Sequence, residues 1–155
     1  MLSAEQIREW SRDFLTPRNQ FVTHLKVGSD AHIQIFIDGD RAVTLQDCVQ
    51  LSRHIESLLD RDRLDFRLDV STPGATEPLL LPRQYPKHRG RILAVETQDG
   101  SSVTGTLETC SEEGITLHYS VREPKPLGKG KHTVHKTAVL PYPLITKAIV
   151  QLPFQ

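Results

Sequence analysis

Ser71 and Thr72 stand directly before Pro73-Gly74, at the end of the run Phe66-Arg67-Leu68-Asp69-Val70-Ser71-Thr72-Pro73-Gly74. A serine hydroxyl attacks as a nucleophile when a base takes its proton and a strand-turn-helix elbow presents it. No helix pattern follows this turn, and no His or Asp is spaced to serve as its base. Both hydroxyls are therefore expected to bond nearby backbone. His118, His132 and His135 invite a metal reading, since imidazole is a common ligand. His132 and His135, three apart on one strand, point to opposite faces, and no Cys accompanies them. Solvated strand histidines are the expectation. Cys48 and Cys110 fall in different halves without metal-type spacing, and read as small apolar residues in a reducing compartment. There is no P-loop and no Gly-x-Gly-x-x-Gly. An enzyme needs clustered titratable groups, and none can be placed. The expectation is a non-enzymatic protein without metal or cofactor.

What remains is charge. The 155-residue chain is neutral overall, with 19 Lys+Arg against 19 Asp+Glu. Its halves differ: residues 1–82 carry 9 basic and 13 acidic groups, net −4, and residues 83–155 carry 10 and 6, net +4. The basic half is the candidate for an RNA-rich partner. Arg83, Lys87, Arg89, Lys125, Lys129 and Lys131, with Arg91 and Lys136, are placed to meet phosphates without reading sequence. No apolar run spans a bilayer, and Met1-Leu2-Ser3-Ala4-Glu5 lacks the basic start and apolar core of a signal peptide. A cytoplasmic monomer without membrane contact is expected.

These groups are held by two kinds of pattern. Ser3 with Gln6 starts a helix at Ala4, with Ile7, Trp10, Phe14 and Leu15 at helical spacing until Pro17 stops it. Phe21–Val27 and Ala31–Asp38 alternate as strands around the Gly28-Ser29-Asp30 turn. Thr44 with Asp47 caps a second helix whose apolar face runs from Leu45 to Leu59. The charged run Asp60–Asp65 reads as a solvated turn, and Phe66, Leu68 and Val70 form one face of a third strand. This α-β-β-α-β unit places two helices on one face of a three-stranded sheet. Its outline is that of a KH module without the Gly-x-x-Gly clamp. The strand is then halted at the Ser-Thr-Pro-Gly turn, where Gly74 is expected to supply positive φ. Pro78, Pro82 and Pro86 mark residues 75–89 as a semi-rigid linker. Beyond it, Arg91–Thr97, Val103–Cys110, Ile115–Val121, Val134–Leu140 and Lys147–Leu152 read as five short strands, with Arg122–Lys131 a basic Pro/Gly loop. Tight turns between short strands predict a small closed barrel. The fold class is α+β, with domains at 1–74 and 90–155.

The order of these features resembles the bacterial ribosome maturation factor RimP family. The residues that carry the resemblance are Val43-Thr44-Leu45-Gln46-Asp47-Cys48, Ser52-Arg53, Leu59-Asp60, Leu68–Gly74, Pro78-Leu79 and Gly90-Arg91. Thr72 stands where the family usually has a second serine, and Glu77 where it usually has a basic residue. The resemblance implies that the second domain is an Sm-like barrel. It also implies a non-enzymatic assembly factor binding the free small ribosomal subunit, its ribosomal RNA and a basic small-subunit ribosomal protein. On the matched motif, Asp69, Ser71, Thr72, Pro73, Gly74, Arg53 and Arg91 become joint or partner-binding candidates. A general RNA-binding or RNA-chaperone module built on the same barrel is the alternative.

Overall fold

The computed structural model describes residues 3–59 and 65–152. The chain separates into two compact units, Met1–Gly74 and Ala75–Gln155.

In the first unit, Ser3 is the N-cap of α1 (Ala4–Leu15), its hydroxyl accepting from the Gln6 N–H. Ile7, Ser11 and Leu15 make the buried stripe, and Thr16–Arg18 tightens into a 3-10 turn around Pro17. β1 (Gln20–Val27) and β2 (His32–Gly39) pair antiparallel. α2 (Leu45–Leu58) opens with a reciprocal capping box: Asp47 N–H donates to Thr44 Oγ1 at 3.1 Å, and Thr44 N–H to Asp47 Oδ2 at 2.8 Å. Those bonds, the Thr44 backbone one foremost, hold the Asp47 carboxyl below its ordinary range. The segment 60–64 expected as a charged turn lies outside the described residues. β3 (Arg67–Ser71) returns parallel to β2, giving the order β1-β2-β3.

Alternation sorts the sheet faces. Ile33, Ile35 and Ile37 are buried with Leu51 and Ile55 of α2 and Ile7 and Leu15 of α1. Truncating one of these to alanine costs about 2–5 kcal/mol. The helices therefore cover one face of the sheet, as the pattern predicts.

The second unit contains β4 (Ile92–Thr97), β5 (Ser102–Cys110), β6 (Gly114–Pro124), β7 (Lys131–Pro141) and β8 (Ile145–Val150). Its core joins Leu93, Val95, Leu107, Ile115, Leu117, Leu140, Ala148 and Val150 with Tyr85. The residues expected as a linker pack here. Leu79 N–H donates to Ala148 C=O, and buried Gln84 accepts from the N–H groups of Leu80 and Leu81. Pro82 and Pro86 start 3-10 turns at Pro82–Gln84 and Pro86–His88, where proline's fixed φ is an advantage.

Two further expectations are corrected. The loop expected at Arg122–Lys131 shrinks to 125–130, because β6 and β7 pair in register from Gly114↔Pro141 to Pro124↔Lys131. The closed barrel is not formed among the described pairings. The five strands make one sheet, β7-β6-β5-β4-β8, with β7 and β8 at its edges. It is nonetheless strongly curled. The edges of a flat five-stranded sheet lie about 19 Å apart. Here a single 3-10 turn, Tyr142–Leu144, joins the end of β7 to the start of β8, and four extended residue steps reach at most about 14 Å. Gly105 permits the bend: a Cβ there would sit 2.6 Å from the His118 carbonyl oxygen of β6.

Candidate partner-binding surfaces

Asp69 and Ser71 lie on the β3 face turned away from the helices, since Leu68 and Val70 pack into the core. His32 and Gln34 of β2 share that face, alternating with buried Ile33 and Ile35. His32 Nε2 meets Asp69 Oδ2 at 2.6 Å, and Arg67 Nε approaches the same oxygen at 3.5 Å. The Asp69 side chain keeps 51% of its surface exposed and Arg67 75%. Phe36, which pairs in register with Ser71, contacts the ring of His24 at 5.8 Å. The first sheet thus presents a mixed polar and aromatic face.

The other joint candidates do not gather there. Arg53 is exposed on α2, in the layer on the opposite side of the sheet. Thr72 and Gly74 are exposed and Pro73 is half-buried, past the end of β3. No turn bond from the Ser71 or Thr72 hydroxyl forms among the described residues. The described glycines with positive φ are Gly90, Gly100, Gly128 and Gly130, so Gly74 does not supply the left-handed turn expected of it. Arg91 belongs to the second unit, where its carbonyl accepts from Leu107 N–H at 2.9 Å.

The phosphate candidates split into two sets along the second sheet. Arg83 and Lys87 sit in the 3-10 turns. Arg89 lines an open cleft of about 630 Å³ with Pro86, Gly90, Thr106, Leu107 and Glu108. Lys125, Lys129 and Lys131 are exposed at the tip of the β6–β7 ribbon. Register places Arg91 beside Leu107 and Leu117, seven residues from Pro124 along β6, or about 24 Å. Lys136 is held by Glu123 at 2.7 Å, which raises its pKa.

Sequence reasoning missed two groupings. One is His32 and Arg67 around Asp69, which needs the parallel β2–β3 register. The other is His118 and His135, whose rings stack across β6–β7 at 5.3 Å and 17°. Continuing both strands through the segment read as a loop would have revealed that pair. Cys48 is buried and Cys110 half-buried; both are free thiols, pushed up in pKa by burial. Among the described residues, no three His, Cys, Asp or Glu side chains come together as a metal site, and no helix is long and apolar enough to cross a membrane.

What the geometry offers is an α/β unit and a β unit, each presenting polar side chains on an open face. Residues 21–76 match the RimP N-terminal domain family. Over 134 residues the chain is 46% identical to the ribosome maturation factor RimP of Christiangramia forsetii, covering 86% of this chain and 87% of that protein. Its counterpart in Flavobacterium psychrophilum is 41% identical over 136 residues, 88% of each chain. That of Porphyromonas gingivalis is 36% identical over 128 residues, 83% of this chain and 84% of the other. The chain belongs to the RimP family.

Proposed function

We propose that this protein is a non-enzymatic assembly factor for the small ribosomal subunit, acting as a monomer in the cytoplasm without a cofactor. The observation that carries the reading is identity of 46% across 86% of the chain to a protein named as a ribosome maturation factor. Within this reading the first unit, KH-like in outline, meets a basic small-subunit ribosomal protein through its acidic surface, with Asp69 a candidate contact. The curled second sheet is read as Sm-like, and its basic groups, Arg83, Lys87, Arg89, Lys125, Lys129 and Lys131, meet ribosomal RNA through phosphates. The acidic and basic halves of the sequence support that division.

The test is sedimentation of the purified protein with free small subunits, large subunits and whole ribosomes at low and moderate salt. Co-sedimentation with free small subunits alone, weakening as salt rises, is the expected result. Binding to none of them, or equally to all RNA, overturns the assembly reading in favour of a general RNA-binding module.

A further inference from the structure

We propose that the outer face of the β6–β7 ribbon is a binding track for single-stranded RNA, with the stacked His118–His135 pair as its base platform and Arg122 as its phosphate anchor. The inference deepens the RNA-contact reading above by naming the surface and the kind of RNA.

Strand alternation divides the ribbon by charge. On β6, His118, Ser120 and Arg122 share one face, opposite buried Leu117. On β7 their neighbours are Thr137, His135 and Thr133, from the pairs His118↔Thr137, Ser120↔His135 and Arg122↔Thr133. The ribbon's one carboxylate in this stretch, Glu123, lies on the other face with Lys136. The outer face therefore carries cation, imidazole and hydroxyl groups without a countercharge from β6 or β7. Such a face suits a polyanion.

The groups on it are ordered. Arg122 Nη1 donates to Thr133 Oγ1 and Nη2 to the Lys131 carbonyl, each at 3.1 Å. That fixes the guanidinium on the strand surface and leaves its positive charge exposed. Ser120 Oγ and His135 Nδ1 are hydrogen-bonded at 3.0 Å, which sets the orientation of the imidazole against His118. Two near-parallel rings form a short stack, exposed at His135, that a base of any sequence can extend by adding its own π face. His118 stands six residues from Pro124 at the ribbon tip, about 20 Å along the strand. Arg122 lies between, and Lys131 closes the row. A platform at one end and cations toward the other match a strand whose bases are splayed out. A duplex keeps its base faces stacked inside and meets only the cations. Large apolar side chains, the anchors of protein interfaces, are confined to the ends of the ribbon, at exposed Leu127 and Val139.

The experiment uses the full chain with a fluorescent oligouridylate and a matching RNA duplex, read by anisotropy across a salt series. The wild-type protein is expected to bind the single strand more tightly than the duplex. His118→Ala with His135→Ala should weaken single-strand binding by about fivefold or more, leaving the salt dependence unchanged. Arg122→Ala should weaken binding and lower the salt slope by about one; it serves alone if melting shows the double variant unfolded. Unchanged affinity in these variants overturns the track, as does equal binding of duplex and single strand. A protein that binds neither RNA yet co-sediments with small subunits loses the track and keeps the assembly function. Variants that lose subunit binding but hold the oligonucleotide normally make this face a protein contact, which also overturns it. RNA binding that falls as expected, without any subunit association, keeps the track and removes the assembly reading.

Discussion

His32 on β2 reaches diagonally across the parallel β2–β3 pair to Asp69, Nε2 to Oδ2 at 2.6 Å, past its own register partner Arg67. Arg67 turns to the same oxygen, so one carboxylate organises His32 and Arg67 on the first sheet's open face. Partly exposed pairs of this kind contribute about 0–1 kcal/mol to stability. Asp69→Ala is therefore expected to leave the urea midpoint nearly unchanged while weakening association with small subunits. A loss of several kcal/mol in chemical denaturation would instead make Asp69 a structural residue.

The α2 capping box contributes locally. Thr44→Ala should destabilise the first unit by about 1 kcal/mol, and Thr44→Ser should restore most of it. Asp47 has its folded pKa depressed. Its contribution is present above the ordinary carboxylate value of 3.8 and disappears as pH falls through the lower folded value. Urea denaturation of wild type and Asp47→Asn between neutral pH and pH 3 checks this: the two curves should converge at the acid end.

Tyr85 gives the second unit an alkaline limit. Burial, with Tyr142 beside it, pushes its phenol up from 10.0 to about 12. The unfolded chain ionises first, so stability is complete below pH 10 and declines as pH rises toward 12. Thermal melts of wild type and Tyr85→Phe from pH 9 to 11.5 test it. The variant should lack this portion of the decline, and identical slopes would refute the assignment.

Gly105 and Gly90 should respond differently to alanine. At Gly105 the new Cβ meets the His118 carbonyl at 2.6 Å, and overpacking against backbone costs about 1–3 kcal/mol or more. At Gly90 no atom lies within 4 Å, and the penalty comes from φ +87°, about 1–2 kcal/mol. Melting of each variant separates them. Gly105→Ala should also disturb the β5–β6 amide signals near His118, whereas Gly90→Ala should leave them in place.

Gly74→Ala is expected to be mild. Its φ is not positive, so the left-handed strain that would make substitution costly is absent. Loss of subunit binding in a variant of wild-type stability would show that Gly74 is needed for close approach of a partner.

How much of this could be read from the chain depends on the range of the interaction. Ser3, Thr44 and Asp47 cap helices through bonds to residues three away, so both helix starts are visible in sequence. The triplet Ile33, Ile35, Ile37 shows its buried face by alternation alone. The ribbon does not. Pro124, Pro126, Gly128 and Gly130 imitate a long loop, and only pairing such as Arg122↔Thr133 shows that strand continues through it. The His118–His135 stack depends on that register and was hidden with it. Likewise, Pro82 and Pro86 read as linker punctuation until the packing of Tyr85 and Gln84 reveals compact turns. Whether the second sheet closes is a property of its edges, which no local pattern encodes.

The pairing of β4 with β8 governs the timing of assembly. Leu93 meets Val150 across a separation of 57 residues, whereas each hairpin from β4 to β7 closes over a short turn. Closing so long a loop is entropically expensive before the contact forms, and non-local pairing slows folding. The β4–β7 meander should therefore form first, with β4 an exposed edge and the core still open at Leu93 and Val95. That intermediate has a hydrophobic strand ready to pair with another chain. Docking of Ala148 and Val150 is the step that ends this exposure, so substitutions in β8 should raise aggregation during refolding more than their cost in native stability would suggest.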